Sequence, residues 1–351
     1  MKTLMKGNEA ICKAAICAGC KAYFGYPITP QNEIPEYMAA HMEQADGVWV
    51  QAESETAAIN MVYGAAATGA RAMTSSSSPG IALKQEGISF LAGADLPCLI
   101  VNITRAGPGL GGILPSQADY FQVTRGGGNG DYFTPVYAPY SVQELADLTQ
   151  HAFNVADRYR TPVMLLADGI LGQMMESAEI HDAPIVKSDK FWAADGEADR
   201  RPKNAITSID LSGERLEAMN LRRLERYKQI IEHEVMVESS VQEGDEVAIV
   251  AYGLSARIVL DSIAKLRAEG INVGLIRPIT LWPFPKQAFV NLPKSVEHIL
   301  VAELSMGQMI EDVRLAVMDR YPVHFYGRTG GMVFEPTEVV EKVRAIVQEE
   351  R

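Results

Sequence analysis

The chain has 351 residues, 47% of them apolar, which is enough to bury a large core and favours two domains over one. Its 44 acidic residues outnumber 32 basic ones, and the lysines and arginines are scattered; this excludes nucleic acid as a partner, because a polyanion must be met by clustered positive charge. Gly7, Asn8 and Glu9 interrupt the early apolar stretch where a secretory signal needs continuity, and nowhere is there the run of about 18 to 20 apolar residues that a spanning helix requires. A cytoplasmic protein with no membrane partner is expected.

The first half alternates apolar strands with amphipathic or small-residue helices, the pattern of a parallel sheet covered on both faces. Strands are predicted at Ala22–Gly25, Val48–Gln51, Ala72–Thr74, Cys98–Ile103 and Val163–Ala167, and helices at Gly7–Ala18, Ile34–Met42, Glu55–Thr68, Ile81–Ala92 and Val142–Tyr159. Residues 187–240 change character, with Pro202, Gly213 and many charges, and read as a connector holding one surface or docking helix, Leu216–Glu234. From 241 to 351 a second α/β unit follows. It has strands Val247–Tyr252, Val273–Ile276 and His298–Glu303, helices Ser255–Glu269 and Gln308–Met318, and a proline-rich turn Pro278–Pro285. The expected fold class is α/β, a doubly wound domain over 1–186 followed by the connector and the smaller α/β domain.

Five segments of the first domain lie just after predicted strands, where open α/β sheets place ligands: 26–30, 51–55, 75–80, 104–112 and 125–131. In Tyr26-Pro27-Ile28-Thr29-Pro30 two prolines fix the backbone and withhold donors, so the Thr29 hydroxyl is either presented rigidly or caps the next helix. Glu53 and Glu55 precede an unusually small, Ala-rich helix. A carboxylate there suits the helix dipole, and if it is buried it needs a partner. Ser75–Ser78 with Pro79 and Gly80 opens a helix whose free amides face either an anion or nothing. Arg105 precedes a nearly side-chain-free loop, Ala106–Gly112; its guanidinium suits a carboxylate, or a surface ion pair. Gly109, Leu110, Gln117 and Asp119 form a possible active-site loop, with Arg125 and Asp131 beyond it; such residues either line a ligand or brace loop backbone.

Cys17 and Cys20 form a CxxC pair, yet Ile11, Cys12, Ala15, Ile16 and Cys20 fall at helical spacing, so a core reading fits as well as a redox one. The six histidines show no ligand spacing, and no metal site is expected within the chain.

Taken together these segments resemble the alpha subunit of the 2-oxoacid:ferredoxin oxidoreductases. The residues that carry the resemblance are Gly7-Asn-Glu9, Tyr26–Pro30, Gln51–Glu55, Gly64-Ala65, Gly69-Ala70, Ser78–Gly80, Arg105, Gln117 with Asp119, and Gly130-Asp131. In the second unit they are Val247–Gly253, Arg277-Pro278, Pro283–Pro285 and Glu303, so that nearly the whole chain is covered. The resemblance implies a pyrimidine-type thiamin diphosphate domain plus a transketolase C-terminal-like domain. It places Glu55 on the aminopyrimidine as the catalytic carboxylate, Thr29 and Arg105 on the 2-oxoacid, and Tyr26, Pro27, Ile28 and Ser78 around the cofactor.

The implied cycle is attack of the cofactor on the keto carbon, loss of carbon dioxide, two one-electron transfers and acyl release to coenzyme A. Ala167-Asp168-Gly169 lacks the leading glycine of a diphosphate-and-magnesium motif, and no cysteine run for iron–sulfur clusters occurs. The resemblance therefore assigns magnesium and the diphosphate half to a beta subunit, the clusters to gamma and ferredoxin-like subunits, and the electrons to ferredoxin. In Gly107–Leu114, leucine and isoleucine stand where the 2-oxoglutarate type carries hydroxyls, which favours the branched-chain type acting on 2-oxoisovalerate. Alternatives are a 2-oxoglutarate or pyruvate enzyme, a non-catalytic assembly subunit, and a stand-alone thiamin enzyme of the transketolase kind.

Overall fold

Two mostly apolar seven-residue strands sit at the centre of the first sheet, and shorter strands flank them. The structure, a computed structural model, describes residues 2–182, 184–185, 189–196 and 203–348. The expected boundary at 186/187 and Pro202 lie outside the described residues. In chain order come β1 (Thr3–Lys6), α1 (Gly7–Cys17), β2 (Ala22–Gly25), α2 (Glu33–His41), β3 (Val48–Gln51), α3 (Glu55–Ala67), β4 (Ala72–Ser76), α4 (Ser78–Gly93) and β5 (Cys98–Thr104). They are followed by α5 (Tyr120–Thr124), β6 (Val136–Tyr137), α6 (Val142–Tyr159), β7 (Pro162–Asp168), α7 (Gly169–Gln173) and β8 (Met175–Ala178). The later part holds α8 (Gly213–His233), β9 (Val237–Ser239), β10 (Val247–Val250), α9 (Gly253–Ala268), β11 (Val273–Pro278), β12 (Thr280–Trp282), β13 (His298–Glu303), α10 (Met309–Val317), β14 (Val323–Gly327) and α11 (Pro336–Gln348).

The first sheet has the order β12-β6-β7-β5-β4-β2-β3 and is parallel except for β12. The central strands β5 and β7 are buried along their whole length, which is why they are apolar but for Asn102, Thr104 and Asp168 toward their carboxyl ends. The order reverses direction between β2 and β4, the topological switch point at which doubly wound sheets open a crevice. These two strands pair only at Ala22–Ala72 and Tyr23–Met73, so their carboxyl ends stand apart. The second sheet runs β14-β13-β10-β11 in parallel, with β9 antiparallel at its edge. Among the described residues no helix is long and apolar enough to cross a membrane.

The structure differs from the sequence reading in several places. The predicted proline-rich turn contains β12, which leaves the second unit and joins the first sheet beside β6. Strand β6 is two residues long and needs partners for its backbone; Ala138 N–H donates to the Ile279 carbonyl at the same seam. The strand expected to reach Tyr252 ends at Val250, because α9 already starts at Gly253, which takes a left-handed φ of 52°. The connector helix starts earlier than predicted, at Gly213, and β9, within the expected connector, joins the second sheet.

Helix α8 is not detached. Its Arg223, Tyr227 and Ile230 are buried, Arg223 pairs with Asp95 at 3.0 Å, and Tyr227 meets Phe133 edge-on while Phe133 stacks on Trp282 at 4.9 Å.

The two units are also joined by a buried cation. Arg277 in β11 is fully buried, donates to both carboxylate oxygens of Glu144 in α6 at 2.9 and 2.7 Å, reaches Glu238 at 2.8 Å, and lies over the Tyr140 ring at 3.9 Å. Replacing Glu144 by alanine leaves this guanidinium with Glu238 alone. The expected cost is roughly 3 kcal/mol, the low end for breaking a buried pair, read as a lower urea midpoint; an unchanged midpoint would show that the pair contributes nothing to cohesion.

Candidate active site at the strand-order reversal

Three loops close on the gap between β2 and β4. The β3–α3 loop brings Glu55: Ser54 takes an extended conformation and its hydroxyl accepts the Ala57 amide at 3.1 Å, so Glu55 becomes the first residue of α3, near the positive end of its dipole. Its side chain is 6% exposed, whereas Glu53 two residues earlier is exposed, so burial separates the two sequence candidates. The carboxylate rests against α4, where a Cβ at Gly80 would lie 2.7 Å from Oε1. Among the described residues no hydrogen bond reaches this carboxylate, and the buried hydroxyls of Ser76 and Ser77 also lack partners.

The β2–α2 loop carries Tyr26 and Pro27, both exposed, and Ile28 and Thr29, both half-buried. Gln31 holds it: Nε2 donates to the Tyr26 carbonyl at 3.3 Å, and Oε1 accepts the Ser75 hydroxyl at 2.5 Å, which also bonds Tyr23 at 2.8 Å. The Thr29 hydroxyl accepts weakly from Asn32 at 3.5 Å.

Arg105 follows β5 and ties this loop to the glycine-rich one. It is 7% exposed, and its two terminal nitrogens donate to the carbonyls of Thr29 and Leu110, each at 3.0 Å; Nε is buried without a partner. Thr29 and Arg105 are thus brought together. The tip of the loop exposes Gly109, Leu110 and Ile113.

Ser78, Asp119 and Gln117 lie deeper. Ser78 donates its amide to Asn102 Oδ1 at 3.1 Å and its hydroxyl to the Arg105 carbonyl at 3.1 Å, while Asn102 donates to Asp119 at 2.8 Å. Burial pushes the Asp119 carboxyl up, against the hydrogen bonds from Ser78 and Asn102. Gln117 faces the second unit: its amide donates to the Tyr252 carbonyl at 2.9 Å, and its oxygen accepts from Ser255 at 2.6 Å and from the Leu304 amide at 2.9 Å. Arg125 pairs with Asp312 at 3.0 Å, and Asp131 lines a separate groove of about 780 Å³ against α8.

Sequence reasoning missed one group here. Lys84 is completely buried beneath the crevice and donates to Thr74 Oγ1 at 2.6 Å and to the Ser75 carbonyl at 3.0 Å. The available signal was a lysine on the same helical face as Ile81 and Ile88. Cys12 and Cys20 are core residues, with burial pushing the Cys20 thiol up to about 12, and Cys17 is half-buried. Among the described residues no group of three metal-ligating side chains occurs.

Residues 13–240 match the family described as pyruvate flavodoxin/ferredoxin oxidoreductase, thiamine diphosphate-binding, and residues 245–339 match pyruvate:ferredoxin oxidoreductase core domain II. Ketoisovalerate oxidoreductase subunit VorB of Methanothermobacter thermautotrophicus is 48% identical over 98% of this chain and 97% of its own length. 2-Oxoglutarate synthase subunit KorA of Methanocaldococcus jannaschii is 35% identical over 97% of this chain and 98% of its own. The chain belongs to the 2-oxoacid:ferredoxin oxidoreductase family, as one of its subunits.

A solved 2-oxoglutarate:ferredoxin oxidoreductase from Magnetococcus marinus superposes with a TM-score of 0.87 at 26% identity over 98% of this chain, which spans 65% of that one. A split-gene transketolase shares the fold, with a TM-score of 0.59 at 15% identity.

The crevice of this oxidoreductase subunit suits the aminopyrimidine end of thiamin diphosphate. Among the described residues it offers a buried carboxylate that accepts no hydrogen bond, two unpartnered hydroxyls, and a glycine where any Cβ would crowd the carboxylate.

Asp168 ends β7 and caps α7, accepting the Ile170 and Leu171 amides at 2.9 and 3.2 Å, beside Gly169, whose Cβ position lies 2.8 Å from the Pro30 ring. Burial raises its carboxyl to about 6, although the amides of Leu171 and Ile170 pull the other way. A folded-state pKa above the unfolded one means that the folded protein binds the proton more tightly. The stabilisation is full below about pH 4 and is lost as pH rises through about 6. Asp168→Asn keeps the cap without the charge; it should raise the melting temperature at neutral pH, by up to about 3 kcal/mol of stability, and leave it unchanged near pH 4. Equal effects at both pH values would remove the linkage.

Proposed function

We propose that this subunit supplies the pyrimidine side and the substrate grip of a shared active site that oxidatively decarboxylates branched 2-oxoacids, 2-oxoisovalerate first, to acyl-CoA while reducing ferredoxin. The observation that carries the reading is the buried Glu55 carboxylate, without a hydrogen bond, at the strand-order reversal. When bound, thiamin diphosphate supplies the nucleophilic carbon that attacks the keto group and takes up the electrons left by carbon dioxide. Glu55 holds a proton between its carboxylate and the pyrimidine nitrogen. Tyr26, Pro27, Ile28 and Ser78 shape the cofactor side. Arg105, anchored on the Thr29 and Leu110 carbonyls and with Nε to spare, and the Thr29 hydroxyl orient the substrate carboxylate.

The reading extends to the parts this chain does not offer. A beta subunit holds the diphosphate and magnesium, gamma and ferredoxin-like subunits hold iron–sulfur clusters, and coenzyme A accepts the acyl group in the cytoplasm. The face for the beta subunit is the edge strand β3, where Val48, Trp49 and Val50 are all exposed, continued by Met61 and Leu83 around the Glu55 crevice. Within this chain, residues 1–186 form the cofactor-binding domain, 187–240 the connector and 241–351 the transketolase C-terminal-like domain.

Glu55→Gln in the assembled complex is expected to cut turnover by about 10²–10⁴-fold without dissociating it; unchanged turnover would favour an assembly subunit instead. For substrate choice, the 48% identical relatives are ketoisovalerate enzymes, and the exposed Leu110 and Ile113 offer aliphatic surface where a branched tail would lie. Leu110→Ser with Ile113→Thr should lower the kcat/KM ratio of 2-oxoisovalerate over 2-oxoglutarate by roughly 10-fold or more. A native complex that prefers 2-oxoglutarate or pyruvate would overturn the branched-chain assignment.

A further inference from the structure

The central strand β5 is apolar until Asn102, three residues before Arg105, and the proposed chemistry gives this amide no task. Asn102 is completely buried, so its polar atoms need partners within the protein. Both have one. Oδ1 accepts the Ser78 amide at 3.1 Å, and Nδ2 donates to Asp119 Oδ2 at 2.8 Å. Asn102 is also where the β4–β5 ladder stops: its register partner Ser76 ends β4, and the chain then leaves the sheet to open α4 at Ser78. Beyond that point side chains replace the ladder. The Ser78 hydroxyl accepts the Arg105 amide at 3.0 Å and donates to the Arg105 carbonyl at 3.1 Å, so it holds both backbone groups of Arg105. Ser78 itself takes a φ of 20°, which residues with a Cβ rarely adopt and which its surroundings must impose. The bond from its amide to Asn102 is one such restraint.

The two partners also decide which way the amide faces. A backbone N–H can only donate and a carboxylate can only accept, so oxygen toward Ser78 and nitrogen toward Asp119 is the orientation that satisfies both. A continuous series of bonds therefore runs from Asp119, beyond the glycine-rich loop, through Asn102 and Ser78 to the backbone of Arg105. From there the guanidinium reaches the Thr29 and Leu110 carbonyls. We propose that Asn102 is a positioning residue for the substrate grip: it locks Ser78, and through Ser78 the base of Arg105, so that the guanidinium meets the carboxylate of the 2-oxoacid. This rests on the assignment of Arg105 to that carboxylate. Asn102 itself touches no substrate. A charged group at the end of a long side chain is aimed only as well as its base is fixed, and a misplacement of about 1 Å can cost up to ~10²-fold.

The test compares, in the assembled complex, the KM of its preferred 2-oxoacid with the Ki of the C1 methyl ester of that acid. The ester keeps the tail and the keto group but offers no charge at C1 for Arg105 to pair with. General damage to the site weakens both in proportion, whereas loss of aim weakens the acid alone. Asn102→Leu fills the space without the bonds and should lower the preference for acid over ester by about 10-fold or more, toward the value of Arg105→Met. The exchange Asn102→Asp/Asp119→Asn again places an acceptor opposite the Ser78 amide and a donor opposite that acceptor. It should bring the preference back to within about 3-fold of native. If Arg105→Met keeps the native preference, the assignment of Arg105 itself fails. If Arg105→Met lowers it and Asn102→Leu does not, the role of Asn102 is overturned while Arg105 stands. A loss in Asn102→Leu that the exchange does not repair also overturns it, because shape rather than bonding would then explain the leucine. Should Asn102→Leu not assemble, Asp119→Leu frees one end of the amide and should lower the preference by about 3-fold. A native preference in that variant, or failure of both to assemble, would assign the pair to folding and end the proposal.

Discussion

Strands β2 and β4 are hydrogen-bonded at two residues and then separate, and the first unit of this molecule is organised around that separation. From β2 the chain turns toward β3, and from β4 it turns the other way toward β5, so neither connection covers the gap. Loops that border an uncovered gap cannot borrow their hydrogen bonds from a sheet ladder. They obtain them from side chains instead: Gln31 for the Tyr26 loop, Arg105 for the Thr29 and Leu110 carbonyls, and Ser78 with Asn102 for the start of α4. This explains why so many polar residues are buried beside an apolar sheet. It also explains why the ones left unmatched gather where they do. Of eight buried side-chain atoms without a partner among the described residues, three, on Ser76, Ser77 and Arg105, belong to this crevice. Native proteins leave few such atoms, and a cluster of them next to a buried carboxylate is what a polar ligand would complete.

The second α/β unit is fastened to the first by more than surface contact. Strand β12 is donated into the first sheet, Arg277 spans to Glu144, and Gln117 spends its side-chain amide on Tyr252, Ser255 and Leu304. The last of these fixes the base of the glycine-rich loop, since Gln117 and Ser116 end the segment that Arg105 begins. The tip around Leu110 is therefore exposed while both of its ends are held, one by the crevice and one by the neighbouring unit. A loop anchored in this way can vary its tip residues with little effect on the fold.

Much of this was readable in the residues because the central strands are largely apolar and the helices carry capping signals; Ser54 before Glu55 and Ser141 before Val142 both act as caps. The five loops after the strands were likewise readable, since position follows from strand order. The short edge strands were not. Strand β6 has two residues and β12 three, too few for any alternation to register, and their pairing is decided by backbone groups left over elsewhere. The roles of Gln117 and Lys84 were hidden for a different reason: both are polar residues whose partners lie far away along the chain or on another element, and local spacing is silent about partners. Gln117 read as a loop residue near a ligand, and only the fold reveals that it bonds to residues more than 130 positions away.

The two sheets share the same parallel logic, yet only one retains an open switch point. In the second sheet the order reverses between β10 and β13, and there Glu303 ends its strand fully buried. Its carboxylate accepts from Ser305 at 2.8 Å and from the amides of Gln308, Met309 and Ile310 at 3.1 to 3.2 Å. Burial pushes its proton affinity up and these donors bring it down, as for an anion seated at the start of a helix. The chain has thus filled its second anion site with its own side chain. Glu55, which opens α3 after the edge strand β3, accepts from no such donors among the described residues. Among the described residues the same residue type is thus hydrogen-bonded at a helix start in one unit and without a hydrogen bond at a helix start in the other.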